Sequence, residues 1–423
     1  MFPSLLLLLG LGAGAALRLH LALTDDGLYW PDEVHQSLEP AHRLVWGYGL
    51  VAWEFVQGAR SWALPGLVAG LFQLSRLLGL EEPWGYLHLT RGAFALAGAG
   101  SAAGAYLLAR RLGAGPAAAT GGALLFALGS VPLYFAPRAM SENAAALPLV
   151  LGLALALPRG AGRGATLGGA ALLALATLLR LQCGLFCAGL LAVLLLRREW
   201  RRAGEAAAVL GAGAFAYGLL DWLTWDSWFQ SARVYLAFNL QGGAEKWGTA
   251  PFSYYARVLG QSMPWVSAVA AGLALLGLRR APALFALTLA FLLLHALQPH
   301  KELRFLLPAL PLVAASAGVG LQALLARVGR PAGQLALVVG VALVAAHSAW
   351  RAPGLRFGDL GQYEDSRPQV SAYDDAGPVN RLLARAGREP DLCGLKVEVA
   401  HLAWTGGYSY LHREVPLYPH YGP

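Results

Sequence analysis

Between Phe2 and Trp350 long apolar runs recur, broken by short turns that carry arginine, and this recurrence leaves the chain few ways to fold. A run of roughly 20 apolar residues is what an α-helix needs to cross the hydrocarbon of a bilayer. Inside lipid each backbone N–H and C=O must be satisfied within the protein, so such runs form helices. The pattern predicts spans at about 4–23, 91–109, 117–135, 142–157, 165–180, 182–196, 204–220, 264–278, 283–298, 305–325 and 332–350. The chain is 57% apolar and 13% charged, with a mean hydropathy of +0.51, which lies outside the soluble range. The expectation is an all-α polytopic membrane protein with about 11 transmembrane helices.

Charge placement orients these spans. The clusters at Arg110-Arg111, Arg159/Arg163, Arg197–Arg202, Arg279-Arg280 and Arg327/Arg330 fall on one side and hold twelve arginines against Glu199 and Glu205. The 24–90 segment, on the other side, has eight acids and three arginines. Positively charged loops stay in the cytoplasm, which places 24–90 outside. The net charge of +8 is therefore read as orientation, with no nucleic-acid partner. With 29 arginines and three lysines, the basic residues suggest a high-GC, bacterial genome. Three cysteines make no disulfide framework, and Cys183 and Cys187 read as packing residues. The apolar N-terminus lacks the basic start of a signal peptide and is taken as a retained first span, with Arg18 and His20 snorkelling or facing the interior. The 165–196 run is split by Arg180 and Gln182 and is read as a short hairpin.

On this topology the unusual polar clusters share the outer side. They are Tyr29–Pro65, Pro137–Asn143, Asp221–Trp265 and Pro299–Arg304. In the first, Pro31 can open a short surface helix with Asp32, Gln36, Glu39 and Arg43 on one face, ended or kinked by Pro40. Leu64–Leu80 reads as a second interfacial helix. Residues 1–350 would form the membrane domain and 351–423 a small outer region of mixed structure. In that region Pro378 to Gly387 reads as a helix and Lys396–Ala400 as a half-buried strand.

Two motifs carry a resemblance. WPDEVHQSLEPAH, with the Trp-Glu and Arg-Ser pairs that follow, resembles the first luminal loop of the dolichyl-phosphate-mannose-dependent mannosyltransferases of glycosyltransferase family 22. His300-Lys301-Glu302-Leu303-Arg304-Phe305, with Pro308 and Pro311, is similar to the HKE-x-RF…P…P signature of that family. Asp221–Tyr255 is similar to its DS…N…FN…G…YG segment, and Tyr408–His412 faintly to its C-terminal YS..H pattern. The resemblance implies a GT-C fold and inverting transfer of a sugar, most simply mannose, from a polyprenyl-phosphate donor to a glycan or glycolipid acceptor. Transfer would occur at the outer face of a bacterial plasma membrane, or at the luminal face of the endoplasmic reticulum in a eukaryote.

The residue types suit that chemistry. A carboxylate base is needed for the acceptor hydroxyl, and Asp32 is the candidate, with Glu33 as substitute or orienting partner. The lipid phosphate leaves as an anion and asks for cations: His300, Lys301 and Arg304, and more weakly Arg180. Gln36, Glu39, Trp53, Glu54 and Arg60 are candidates for acceptor or sugar contact, with Glu302 and Asn239 in support. Trp30 and Trp247 are among the aromatics able to stack on sugar faces. No cofactor or metal is expected, since a lipid-phosphate donor does not require one and no Walker loop or zinc spacing is present. A lipid or glycan transporter would put polar residues inside broken, repeated spans. A catalytically inactive relative would be argued from Ala52, where that family's pattern has threonine.

Overall fold

The computed structural model describes residues 2–356, 358–361, 377–398 and 401–419. Helix α1 covers Phe2–Thr24. The polar stretch after it folds as α2 (Pro31–Glu33), a π-helical turn at Val34–Leu38, α3 (Glu39–Trp46), α4 (Trp53–Val56) and α5 (Ala63–Leu77). Next come α6 (Pro83–Arg111), α7 (Pro116–Leu128), α8 (Ser130–Tyr134), α9 (Ser141–Ala156) and α10 (Arg163–Leu179). They are followed by α11 (Gly184–Leu196), α12 (Trp200–Trp225), α13 (Gln230–Leu240), α14 (Tyr254–Ser262), α15 (Pro264–Gly277) and α16 (Pro282–Leu297). A 3₁₀ stretch at Leu303–Ala309 leads into α17 (Leu310–Leu325), then α18 (Arg330–Arg351). The C-terminal segment adds α19 (Gly377–Ala386), α20 (Tyr408–Leu411) and a parallel pair, β1 (Leu395–Lys396) and β2 (Leu417–Tyr418). Part of the predicted 396–400 strand lies outside the described residues.

Five helical stretches among the described residues are long and apolar enough to cross a membrane, and shorter apolar helices lie between them. The chain is a multi-pass membrane protein. In its core, α17 packs on α7 and α15, α1 packs on α6 and α7, and α9 packs on α6 and α10. Small residues allow the closest approach: a Cβ on Gly320 would lie 1.8 Å from the Leu273 carbonyl oxygen, so α15 and α17 need glycine there.

The run expected at 117–135 is broken at Gly129, where the chain turns extended between α7 and α8. The extended turn carries the N–H groups of Ser130 and Val131 away from the α7 ladder, so the carbonyls of Phe126 and Ala127 lose their helical donors. Arg18, fully buried in α1, supplies replacements to the carbonyls of Phe126 (3.1 Å) and Ala127, and to Gly14 in its own helix (3.1 Å). Of the two options left by the sequence, this arginine faces the interior.

The hairpin expected at 165–196 is present. α10 ends at Arg180, whose backbone is extended, and a 3₁₀ turn at Leu181–Cys183 starts α11. At the other end Arg197 donates to the Leu157 carbonyl (2.6 Å) and Arg202 to that of Pro158 (3.1 Å), so these basic turns share one face. The polar clusters assemble at the opposite helix ends.

Candidate active site

A cavity of about 860 Å³ opens where the 30–60 stretch, the Arg180 turn, the Tyr235–Trp247 stretch, the His300–Phe305 stretch and the His401–Trp404 turn converge. Its floor is an ionic cluster. Arg304, 4% exposed, has Nη2 2.5 Å from Asp32 Oδ2, and its Nε and Nη2 donate to Glu302 at 2.7 and 2.9 Å. Arg304 Nη1 lies 3.6 Å from Glu142 Oε1, which also pairs with Arg180 Nη1 at 2.9 Å. Arg180 donates to Ser141 Oγ at 3.0 Å as well. Two arginines thus share a buried glutamate, and one reaches the loop carboxylate. His300 bonds Glu302 through Nε2 (3.1 Å) and the Gly248 carbonyl through Nδ1 (2.9 Å). Burial works against ionising Glu302, but Arg304 and His300 outweigh it and hold the carboxyl down at about 2. Burial likewise disfavours charged His300, and the bond to Glu302 more than compensates, raising its pKa.

Four carboxylates line the cavity, and they differ in access. The Asp32 side chain is 24% exposed, against 9% for Glu302 and 1% for Glu142. Glu54 is 6% exposed and accepts from Gln36 Nε2 at 2.8 Å. Its pKa is raised by burial and by the charge of Asp32, with Arg60 opposing. Trp53 stacks near Phe238 (4.8 Å) and Trp247 (5.8 Å), and the ammonium of Lys246 lies 4.4 Å from the Trp247 ring centre. Asn239 lines the same wall, its amide turned to the Tyr235 carbonyl at 2.8 Å. Arg60 lies over the Tyr235 ring, 5.2 Å from its centre.

Three sequence candidates stand away from the cavity, each for a local reason. Glu33 is buried against Arg138 (3.4 Å), which also pairs with Asp25 (2.7 Å), so it fixes the backbone beside Asp32. The π-helical turn at Val34–Leu38 closes with Glu39 N bonded to Val34 O, one residue wider than an α-turn. That extra residue leaves Asp32, His35 and Gln36 on the cavity wall and turns Glu39 out of their face. Pro40 does not end the helix; its missing N–H falls where the ladder has just widened into the π-helical turn, and the run continues to Trp46. Lys301 points into backbone, donating to the carbonyls of Ala250 (2.6 Å), Pro299 (3.4 Å) and Gln298, and burial lowers its pKa.

Residues 12–352 match the profile of the Alg9-like mannosyltransferase family. The chain belongs to this family. It is similar to GPI mannosyltransferase 3 of Yarrowia lipolytica, 32% identical over 315 residues, covering 71% of this chain and 59% of that protein. GPI mannosyltransferase 3 of Drosophila melanogaster is 48% identical over 67 residues, 16% of this chain and 12% of that protein. The chain thus spans about three-fifths of the first relative's length and much less of the second. Among solved structures it is similar to ArnT from Cupriavidus metallidurans bound to undecaprenyl phosphate, with a TM-score of 0.62 at 15% identity, over 97% of this chain and 85% of that one. The Archaeoglobus fulgidus oligosaccharyltransferase has a TM-score of 0.59 at 13% identity, over 97% and 62%. These likenesses show the GT-C fold.

Within this Alg9-like chain the sequence candidates missed Glu142, His35, Tyr235 and Trp404, all on the cavity wall. Glu142 had a signal: an acid opening an apolar helix, inside the Pro137–Asn143 polar cluster and on the same outer side as Arg180. Trp404 had none, since nothing local ties residue 404 to Trp30.

Proposed function

We propose that this protein is an integral-membrane inverting mannosyltransferase. It moves mannose from a polyprenyl-phosphate donor to a glycan or glycolipid acceptor at the extracytoplasmic face, which is the plasma-membrane exterior in a bacterium or the luminal face of the endoplasmic reticulum in a eukaryote. The observation that carries this reading is Asp32: of the four carboxylates on the cavity wall it has the most exposed side chain, and Arg304 fixes its Oδ2 at 2.5 Å. The mannose comes from the names of the relatives, and the lipid phosphate is supported by the ligand of the ArnT structure.

In the reaction the acceptor oxygen attacks the anomeric carbon from the face opposite the phosphate. Its proton passes to Asp32, the bond from carbon to phosphate oxygen breaks, and the lipid phosphate leaves as an anion. Arg304 is already committed to Asp32, Glu302 and Glu142, and Lys301 to carbonyls. Arg180 and Arg60 each keep a buried Nε without a hydrogen-bond partner, and both line the cavity and a side recess of about 50 Å³. We therefore place the phosphate on Arg180 and Arg60, with Gln36 and Ser141 beside them, and leave Arg304 and His300 to organise the carboxylates. Residues 1–350 then act as the transfer domain and 351–423 as an outer segment.

The test is transfer from synthetic polyprenyl-phosphate mannose to lipid-linked glycans by purified protein, wild type against Asp32→Asn. Loss of transfer with retained donor binding supports the assignment. Equal activity in both removes Asp32 as base, and no donor consumption with any acceptor removes the enzyme reading.

A further inference from the structure

The C-terminal segment reaches back over the cavity, and its anchorage is specific. Glu39 Oε1 accepts from Ser409 N (2.6 Å) and Ser409 Oγ (2.7 Å), and Tyr86 Oη donates to the Ser409 carbonyl (2.6 Å). His42 Nε2 and His412 Nδ1 lie 3.0 Å apart. Gly407 has φ +54°, and a Cβ there would come within 2.9 Å of the Glu39 carboxyl carbon, so this approach needs glycine. Asn380 ties the turn from the other side, accepting from Gly406 N at 2.7 Å and donating to the Asp26 carbonyl at 2.9 Å. The strap is thus fixed immediately after the turn it presents to the cavity.

What it presents is Trp404. The Trp404 and Trp30 rings meet edge to face, 5.0 Å apart at 88°, and both line the cavity. Two indoles at a right angle make a corner: a pyranose can lay its C–H face on one ring with its edge against the other. Trp30, Trp404 and Asp32 line one cavity, so a sugar held in the corner shares its space with that carboxylate. The recess holding Arg60 and Arg180 has neither tryptophan in its lining. The family match, residues 12–352, includes Asp32, Arg180 and Arg304 but ends before Trp404.

We propose that Trp404 and Trp30 form the acceptor subsite, binding the terminal pyranose of a glycan, and that the C-terminal strap sets acceptor choice. This inference rests on the mannosyltransferase reading for its kinetic arm only. The probe is an octyl mannobioside, used with the full chain in nanodiscs in two measurements: direct binding without donor, and transfer kinetics with polyprenyl-phosphate mannose. Trp404→Ala should weaken mannobioside binding and raise its KM by about tenfold, with donor KM unchanged. Trp404→Phe and Trp30→Phe, which keep a ring, should show smaller effects of the same kind, and they carry the test if the alanine variant does not fold. If the wild type binds the mannobioside in a Trp404-dependent way but transfers no mannose, the mannosyltransferase reading falls and the corner stands. Binding that ignores Trp404, no binding by the wild type, or an equal rise in donor KM overturns the proposal.

Discussion

Arg304 Nη2 sits 2.5 Å from Asp32 Oδ2, joining two residues 272 positions apart in the chain. The contact explains how a carboxylate on a surface loop gains a fixed position. Asp32 is held through one oxygen by an arginine that is itself locked by Glu302 and Glu142, while the helix behind it is pinned by Glu33 and Arg138. Asp32→Asn should lower kcat by about 10²–10⁴-fold with donor KM little changed, the signature of a lost base. Asp32→Glu should recover part of the rate. Single-turnover assays with radiolabelled donor would measure both.

The cations divide into two kinds, and their variants should differ. Arg180→Lys keeps the charge but loses the fork, so donor KM should rise with modest loss of stability. Arg180→Gln also strips Glu142 of its nearest cation, and breaking a buried pair costs about 3–5 kcal/mol. A clear drop in Tm should therefore accompany the KM effect. Lys301→Met should do the reverse, lowering Tm while donor KM stays within about twofold. A large donor KM effect for Lys301→Met would restore it to the phosphate site.

Much of this organisation was legible in the sequence. Apolar runs and arginine turns located the helices, because period and hydrophobicity suffice for a span. The two motifs brought Asp32 and Arg304 forward although nothing local joins them. What was hidden depended on backbone detail and tertiary packing. The π-helical turn at Val34–Leu38, which turns Glu39 away from the cavity, arises around Pro40 and has no pattern of its own. The commitment of Lys301 to three carbonyls follows from how Ala250 meets the Gln298–Pro299 turn, a contact across about 50 positions that hydropathy cannot report. Trp404 was hidden for the same reason.

Glu39 makes the strap sensitive to pH. Burial raises its carboxyl pKa to about 7, with the Ser409 and Leu50 hydrogen bonds opposing. A carboxyl whose folded pKa lies above its unfolded value contributes stability that is complete below about 4.5 and is lost as pH rises through about 7. The Tm of wild type should thus decline across that window more than the Tm of Glu39→Gln, which cannot titrate. Hydrogen-exchange protection at Gly406–His412, taken relative to the intrinsic rate at each pH, should fall over the same window in wild type and hold in Glu39→Gln. Identical pH profiles for the two proteins would remove Glu39 from this role.

Arg18 tests whether a buried cation in a span is structural. It lies in α1 and caps the Phe126 and Ala127 carbonyls released where α7 breaks at Gly129. Burying a guanidinium in the bilayer core is costly, so removing it could by itself stabilise the protein. Two opposing terms therefore meet in Arg18→Leu: relief of the buried charge, and exposure of carbonyls with no other donor. A buried unsatisfied acceptor costs about 1–3 kcal/mol, and two are left at once, so the loss should win and Tm should fall. Arg18→Lys, which can reach fewer carbonyls than a fork, should lie between. Neither variant touches the cavity, so acceptor and donor KM measured well below Tm should match the wild type. A higher Tm for Arg18→Leu would mean that the α7 carbonyls are satisfied without this arginine and that the charge serves another purpose.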